Sequence, residues 1–466
     1  MMNNRNIQGL GSWVRMFSRP QTSPATLGFA ARTFVGSSMR KDGLVSKGLM
    51  SRKFSSMPFE SFSAEEEQDR TEDSLEKRLS HMDKMFYKGL DFTTEVNLRE
   101  ANHIEPLPIF RVLDLDGEIL EGANVPELDE DFALQLYRSM VRLQMMDNVF
   151  YDAQRQGRIS FYMTHTGEEA CSVASAAALD PGDPVFSQYR EAGALLWRGF
   201  TPQEFADQCF ATDLGKGRMM PVHYGSKELN FHTISSPLGT QIIQAAGAAY
   251  ALKMDNSGLC AMCYFGEGAA SEGDFHAGLN FAASLGVPVV FFIRNNGYAI
   301  STRRSSTRGD SVAGARVGLW RSALRAGGND PLAVLAAARA PGRRRLGEPP
   351  VVVEAMTYRV GHHSTSDDSS PHCHIYFRDS TEINTWKEMN SPLTRFKRFL
   401  ETQGWIDDVE SQSMMDAERA GVIKALEKAE RTPPPPLSSM FEDVYHEKPW
   451  HLQAQEKEML EYMQRD

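Results

Sequence analysis

Leu259-Cys260-Ala261-Met262-Cys263-Tyr264-Phe265-Gly266-Glu267-Gly268 is an apolar run that stops abruptly at a glycine, a carboxylate and a second glycine. Gly268 is separated by 26 residues from Asn295-Asn296, which close a second apolar run, Pro288 to Ile293, through Arg294. Between them, Ser271 to Leu285 alternates small and apolar residues at helical spacing. Ser271 and Asp274 stand where a capping box wants a hydroxyl and, three residues on, a carboxylate. The unit reads as strand, glycine turn, helix, strand, a single βαβ crossover. Parallel sheets bind ligands at the carboxyl ends of their strands, where backbone N–H groups favour phosphate. Magnesium takes oxygen ligands in an octahedron and keeps phosphate oxygens among them. Glu267, the Asn296 amide oxygen and a carbonyl at Tyr298 form a donor set of that kind. A glycine turn after a buried strand is the plainer reading; the paired strands, the spacing and the double Asn together favour a magnesium–diphosphate site.

The same alternation continues outward. Phe110 to Gly117 reads as a short strand and turn, and helical spacing dominates 128–150. A small-residue helix follows Gly167-Glu168-Glu169, and Pro184-Val185-Phe186 is a strand opening onto Ser187-Gln188-Tyr189-Arg190-Glu191. A glycine-rich loop over 211–225 ends in His223-Tyr224-Gly225, and Ser235 to Gln241 leads into an Ala- and Gly-rich helix. Val351 to Met356 is a late buried strand. Beyond 392 the pattern is helical and charged, broken by Pro433 to Pro436. These features predict a doubly wound, mostly parallel α/β domain over 106–391 and a helical C-terminal extension over 392–466.

The 466 residues suffice for a sizeable core, and no apolar run approaches a membrane span. The formal charge of -11 is uneven. Residues 1–58 carry nine Lys and Arg against Asp42, which leaves -19 for the remainder. Such an Arg- and Ser-rich, acid-poor start has the composition of an organellar transit peptide, with cleavage expected between Ser51 and Met57, the mitochondrial matrix as first destination and a plastid as second. A disordered basic tail is the alternative. Residues 59–105 read as a polar arm. The acidic remainder argues against nucleic acid as a partner. Five cysteines are too few and scattered for a disulfide framework; Cys260 and Cys263 lie within one apolar strand and read as core.

GRISFYMT (157–164), FSQYREAG (186–193), YFGEGAASEGD (264–274), RNNGYAIST (294–302) and MTYRVGHHSTSDDSS (356–370) carry a resemblance. The chain resembles the alpha subunits of thiamine-diphosphate-dependent 2-oxoacid dehydrogenases, and among them the branched-chain branch more than the pyruvate branch. The resemblance implies oxidative decarboxylation of branched-chain 2-oxo acids and reductive acylation of a lipoyl group. It implies thiamine diphosphate with Mg²⁺ held by Glu267, Asn296 and Tyr298, and K⁺ held by Ser235, Pro237, Thr240 and Gln241. Tyr189, Arg190, Ser236, Leu238, Gly268, Ala269, Arg294 and His363 would contact the cofactor. His363 would be the catalytic histidine, with His362 beside it, and His223 is a second candidate for lining the pocket. Ser364 matches a regulatory phosphorylation site. The implied partners are a beta subunit in an α₂β₂ heterotetramer, the lipoyl domain of an acyltransferase core, and a kinase and phosphatase.

The residues alone leave plainer readings open: surface arginines, a turn before a helix, solvated loop histidines. From Arg303 to Ala326 the resemblance decays, and residues 301–345 hold ten Arg against two Asp. Pro341-Gly342 is expected to interrupt a helix after Asn329-Asp330, and 371–376 reads as an insertion. A diverged or catalytically impaired paralogue that only assembles, and a retained intronic stretch, are competing explanations.

Overall fold

A strand that is apolar at every position needs cover on both faces, and the sheet supplies it. The structure is a computed structural model that describes residues 107–464, apart from 217–219, 304–311, 313–321, 343–349, 366–377 and 443. The expected leader, the arm and the inserted 371–376 lie outside the described residues.

In chain order the elements are β1 (Ile109–Phe110), α1 (Glu130–Arg155), α2 (Glu169–Ala176), β2 (Val185–Phe186), α3 (Ala192–Trp197), α4 (Pro202–Cys209), β3 (Phe231–His232), α5 (Thr240–Met254), β4 (Ala261–Gly266), α6 (Gly273–Leu285) and β5 (Val289–Asn295). There follow β6 (Tyr298–Ala299), β7 (Thr302–Arg303), β8 (Ser322–Gly327), α7 (Pro331–Gly342), β9 (Val351–Met356), α8 (Ser380–Met389), α9 (Pro392–Thr402), α10 (Asp408–Arg431) and α11 (Trp450–Met463). Among the described residues the main sheet has seven strands in the order β1-β8-β9-β5-β4-β2-β3, every neighbouring pair parallel. The α/β fold expected from the sequence is the one found.

Successive side chains point to opposite faces of a strand. Ala261, Cys263 and Phe265 of β4 and Val289, Phe291 and Ile293 of β5 pack with Ile242 and Ala245 of α5 and Phe275 and Leu279 of α6. Met262, Tyr264, Val290 and Phe292 face the other way, into a core shared with α1, α2 and α7. Each fully buried Phe here stabilises by about 2–3 kcal/mol. Cys263 is wholly inside this packing, and it and Cys260 are free thiols.

The crossover differs from expectation at its helix start. Ser271 belongs to a short 3-10 turn, Ala269–Ser271, and α6 begins at Gly273 with Glu272 as its N-cap and no side-chain cap bond. A capping hydroxyl must stand on the extended residue before the helix, and that residue is Glu272 (φ -71°, ψ 153°). The helix after Asn329-Asp330 also differs: α7 is regular from Pro331 and ends at Pro341-Gly342. The proline therefore closes the last turn instead of breaking an interior. Asp330 starts it, with Oδ1 accepting from Leu332 and Ala333 N–H (3.1 and 3.0 Å). Its Oδ2 accepts from Val112 and Leu113 N–H, both at 2.7 Å, tying the first strand region to the helix.

The C-terminal helices pack back on the α/β body. Tyr137 of α1 meets Ser411 of α10 (2.9 Å), and Arg142 clasps Glu418 through two bonds (2.5 and 3.0 Å). Among the described residues no helix is long and apolar enough to cross a membrane.

Candidate active site

Parallel register fixes the site. Gly266 pairs with Arg294, so Glu267 and Asn295-Asn296 leave β4 and β5 side by side. Asn296 N–H points to Glu267 Oε2 at 3.4 Å, while Glu267 Oε1 is buried with no hydrogen-bond partner. Burial pushes the Glu267 carboxyl up to about 7, against the pull of the Arg294 charge. A buried carboxylate oxygen without a donor, in a carboxyl that burial makes reluctant to ionise, suits a cation as its partner. The residues therefore fit a divalent metal. Among the described residues no group of three or more His, Cys, Asp and Glu could hold one, so amide and carbonyl oxygens must complete the set. Asn296 Oδ1 accepts from Tyr298 N–H (3.1 Å) and retains a second lone pair.

The two asparagines divide their work. Asn295 turns away and donates to Glu354 Oε1 at 2.7 Å, while Asn296 Nδ2 donates to Glu168 Oε1 at 3.0 Å. Gly297 (φ +85°) makes the turn between them and Tyr298. Gly268 is required by close approach: a Cβ there would stand 2.8 Å from the Ala299 Cβ.

A cavity of about 450 Å³ opens over these strand ends. It is lined by Tyr189, Arg190, Ser236, Leu238, Glu267, Gly268, Ala269, Arg294, Asn296, Tyr298 and His363, which the sequence had grouped, and by Gln188, Glu272, Ile300 and Arg359, which it had not. Cavities of about 540 and 460 Å³ occur elsewhere, so volume does not pick the site; the convergent oxygen donors and buried charges do.

Arg294, expected to contact the cofactor, lines the cavity, with its Nε bonded to Glu191 Oε1 and its Nη1 to Glu168 Oε1, each at 2.9 Å. Arg190 lies 3.6 Å from Glu168 Oε2 through Nε, and its Nη2 donates to the His363 carbonyl at 2.7 Å. Burial disfavours charge on Glu168, but Arg294 and Arg190 outweigh it and hold its carboxyl below the usual range. The two arginines stand in a fixed, charge-paired network with Glu168 and Glu191. Glu168 and Glu191 were quoted in the sequence without a role. The signal was available: two arginines expected inside a pocket need buried acids for partners, and these acids sit in otherwise small, apolar helix starts.

His363 packs edge-on against Tyr189 (5.9 Å, 88°), with Arg190 Nη2 and Arg359 Nη1 both 3.4 Å from its Nδ1. Two cationic donors facing Nδ1 assign the ring hydrogen to Nε2. His362 turns aside and stacks on Tyr151 (6.2 Å, 13°). His223 does not line the cavity; its Nε2 bonds the Ser236 hydroxyl, which does. Of the residues expected at a potassium site, Gln241 is buried and donates to the Tyr264 carbonyl (3.1 Å), and Thr240 donates to the Pro237 carbonyl (3.3 Å). Ser235 is half-buried beside exposed Pro237, and Gly239 (φ +84°) starts α5 without a side-chain cap. Ser364 is buried at 8% exposure in the loop that carries His363.

Fold and site together define a parallel α/β protein in which a buried carboxyl and an amide oxygen converge at two adjacent strand ends. The family model described as "Dehydrogenase E1 component" matches residues 137–438. The chain is 49% identical over 378 residues (80% of this chain, 84% of the relative) to the mitochondrial 2-oxoisovalerate dehydrogenase subunit alpha of Macaca fascicularis. It is 48% identical over the same shares to that of Homo sapiens, and 47% identical to subunit alpha 1 of Arabidopsis thaliana (80% and 79%). The chain belongs to the dehydrogenase E1 component family, thiamine-diphosphate-dependent oxidoreductases that act on 2-oxo acids. As an alpha-type member it works with a beta subunit within a larger complex.

Proposed function

We propose that this chain is the alpha subunit of a branched-chain 2-oxoacid dehydrogenase, a mitochondrial enzyme of branched-chain amino acid catabolism with the matrix as its compartment. One observation carries the site reading: a buried Glu267 oxygen without a donor, beside Asn296, at the tips of two paired parallel strands. Glu267, Asn296 and the Tyr298 carbonyl would hold Mg²⁺, and bare backbone at Gly268 and Ala269 would receive the diphosphate. Bound thiamine diphosphate supplies the electron sink that lets a 2-oxo acid lose carbon dioxide.

The chain's own residues bind, orient and shield. Arg190 and Arg294, locked to Glu168 and Glu191, hold a fixed arrangement of donors at the cavity wall. His363, with its hydrogen on Nε2, donates toward a substrate carboxylate or a lipoyl sulfur. Tyr189 and Leu238 supply apolar parts of the cavity lining. The lipoyl carrier is an acyltransferase-core domain, K⁺ rests at Ser235, Pro237, Thr240 and Gln241, and a kinase and phosphatase act on Ser364. A phosphoryl group there adds about -1.5 to -2 charges beside the site, which repels an anionic substrate.

Co-expression with a beta subunit, followed by turnover on 2-oxoisovalerate and on pyruvate, tests the reading. A preference for 2-oxoisovalerate of tenfold or more is expected. Preference for pyruvate would transfer the chain to the other branch, and an assembled but inactive pair would make it a scaffold.

A further inference from the structure

Asp147, on α1, makes no contact with the cavity, yet its buried carboxylate gathers four donors from one short segment. Oδ2 accepts from His165 N–H (2.5 Å) and the Thr166 hydroxyl (3.1 Å). Oδ1 accepts from the Tyr162 hydroxyl (3.1 Å) and faces His165 Nδ1 (2.8 Å). Asp147, Tyr162 and His165 are all within 2% of full burial, so no water relieves these bonds. The backbone of that same segment carries the loop that bears His363. Tyr162 exchanges two bonds with Thr365, giving its carbonyl to Thr365 N–H and its N–H to the Thr365 hydroxyl, each 3.1 Å. Thr166 gives its carbonyl to Val360 N–H at 3.1 Å. At Gly361 a Cβ would stand 2.4 Å from the Thr164 hydroxyl, so loop and segment lie in direct contact. His363 is thus flanked by two backbone anchors, Tyr162 and Thr166, whose side chains Asp147 grips, while its own carbonyl accepts from Arg190.

We propose that Asp147 is a positioning residue for the loop that carries His363: it fixes residues 162–166 as a rail, and the rail sets where the imidazole stands in the cavity. The proposal rests on His363 being the site histidine. Asparagine at 147 would keep the shape but offer one acceptor oxygen in place of two and turn its own N–H groups toward donors. The rail then loses its grip at one end, and the loop undocks without the sheet being touched.

The test uses Asp147→Asn in the chain assembled with its beta subunit. Arg359 begins the loop and is 1% exposed, which protects it from trypsin while the loop is docked. Expected are a tenfold or greater rise in cleavage after Arg359, unchanged cleavage at exposed Lys457, and a tenfold or greater fall in kcat with KM for the 2-oxo acid little altered. If Asp147→Asn does not assemble, the paired Tyr162→Phe and Thr166→Val variant, which removes two donors, should give the same selective cleavage in smaller measure. Arg359 as protected as in the parent, in an assembled variant, overturns the proposal. A His363→Ala arm separates the two readings: undiminished turnover there rejects the role of His363, while the trypsin result still reports on the rail.

Discussion

At Glu267 one carboxyl is asked to be buried and charged at once. Its ionisation is raised to about 7 while a second oxygen goes without a donor, and a cation removes both penalties. Glu267→Gln keeps the volume and deletes the charge. In the assembled enzyme, thiamine diphosphate affinity in Mg²⁺ should fall at least about 100-fold by calorimetry; an unchanged affinity rejects the metal role. Glu169 offers a separate check. Burial pushes its carboxyl from 4.5 up to about 8, and its Oε1 has no partner. Below about pH 4.5 both folded and unfolded forms are protonated, and the group costs nothing. As pH rises from there through about 8, the unfolded chain ionises first and stability is lost. Glu169→Gln should therefore gain on the parent across that window, by an amount on the order of a few kcal/mol at pH 8. Urea denaturation at pH 5 and pH 8 measures it; a constant gap denies the effect. At this scale the sequence yielded the oxygen donors, because their types and spacing match the chemistry of a hard cation. It did not yield Glu168, Glu191 or Arg359. Which acid meets which arginine depends on side-chain approach over separations of 103 and 126 residues, and nothing local encodes that.

Elements were legible where burial dictates pattern. β4 and β5 are covered on both faces, so every position from Ala261 to Phe265 and from Val289 to Ile293 is apolar, and an abrupt glycine turn marks each carboxyl end. The start of α6 was misjudged because Ser271 and Asp274 satisfy the spacing of a cap while the backbone spends Ser271 on a 3-10 turn. Pro341-Gly342 was taken for an interruption and is a terminus. The helix expected after Asn329-Asp330 is α7, and its start rests on Asp330, whose four backbone partners lie both beside it and more than 200 residues away. Asp330→Ala removes a helix cap worth about 1 kcal/mol and strands two further buried N–H groups. The loss of stability should total roughly 2–4 kcal/mol, read from the shift in urea midpoint. A loss under 0.5 kcal/mol, on the order of a neutral surface change, contradicts this role.

At the scale of the whole molecule this chain supplies the lining described above, but the family works as alpha with beta. The purified alpha chain should show no turnover of 2-oxo acids and should gain it on adding the beta subunit; full activity of the alpha chain by itself rejects that division.

The bond between Tyr162 and Thr365 spans 203 residues of chain, whereas the crossover from β4 to β5 closes locally. Bringing distant segments together must await the body that holds them, since the entropy of so long a closure is repaid only once the intervening sheet exists. The histidine-bearing loop should accordingly mature last during refolding. Pulse-labelled amide exchange would find β4 and β5 shielded before Thr365, and simultaneous shielding would show that order to be wrong.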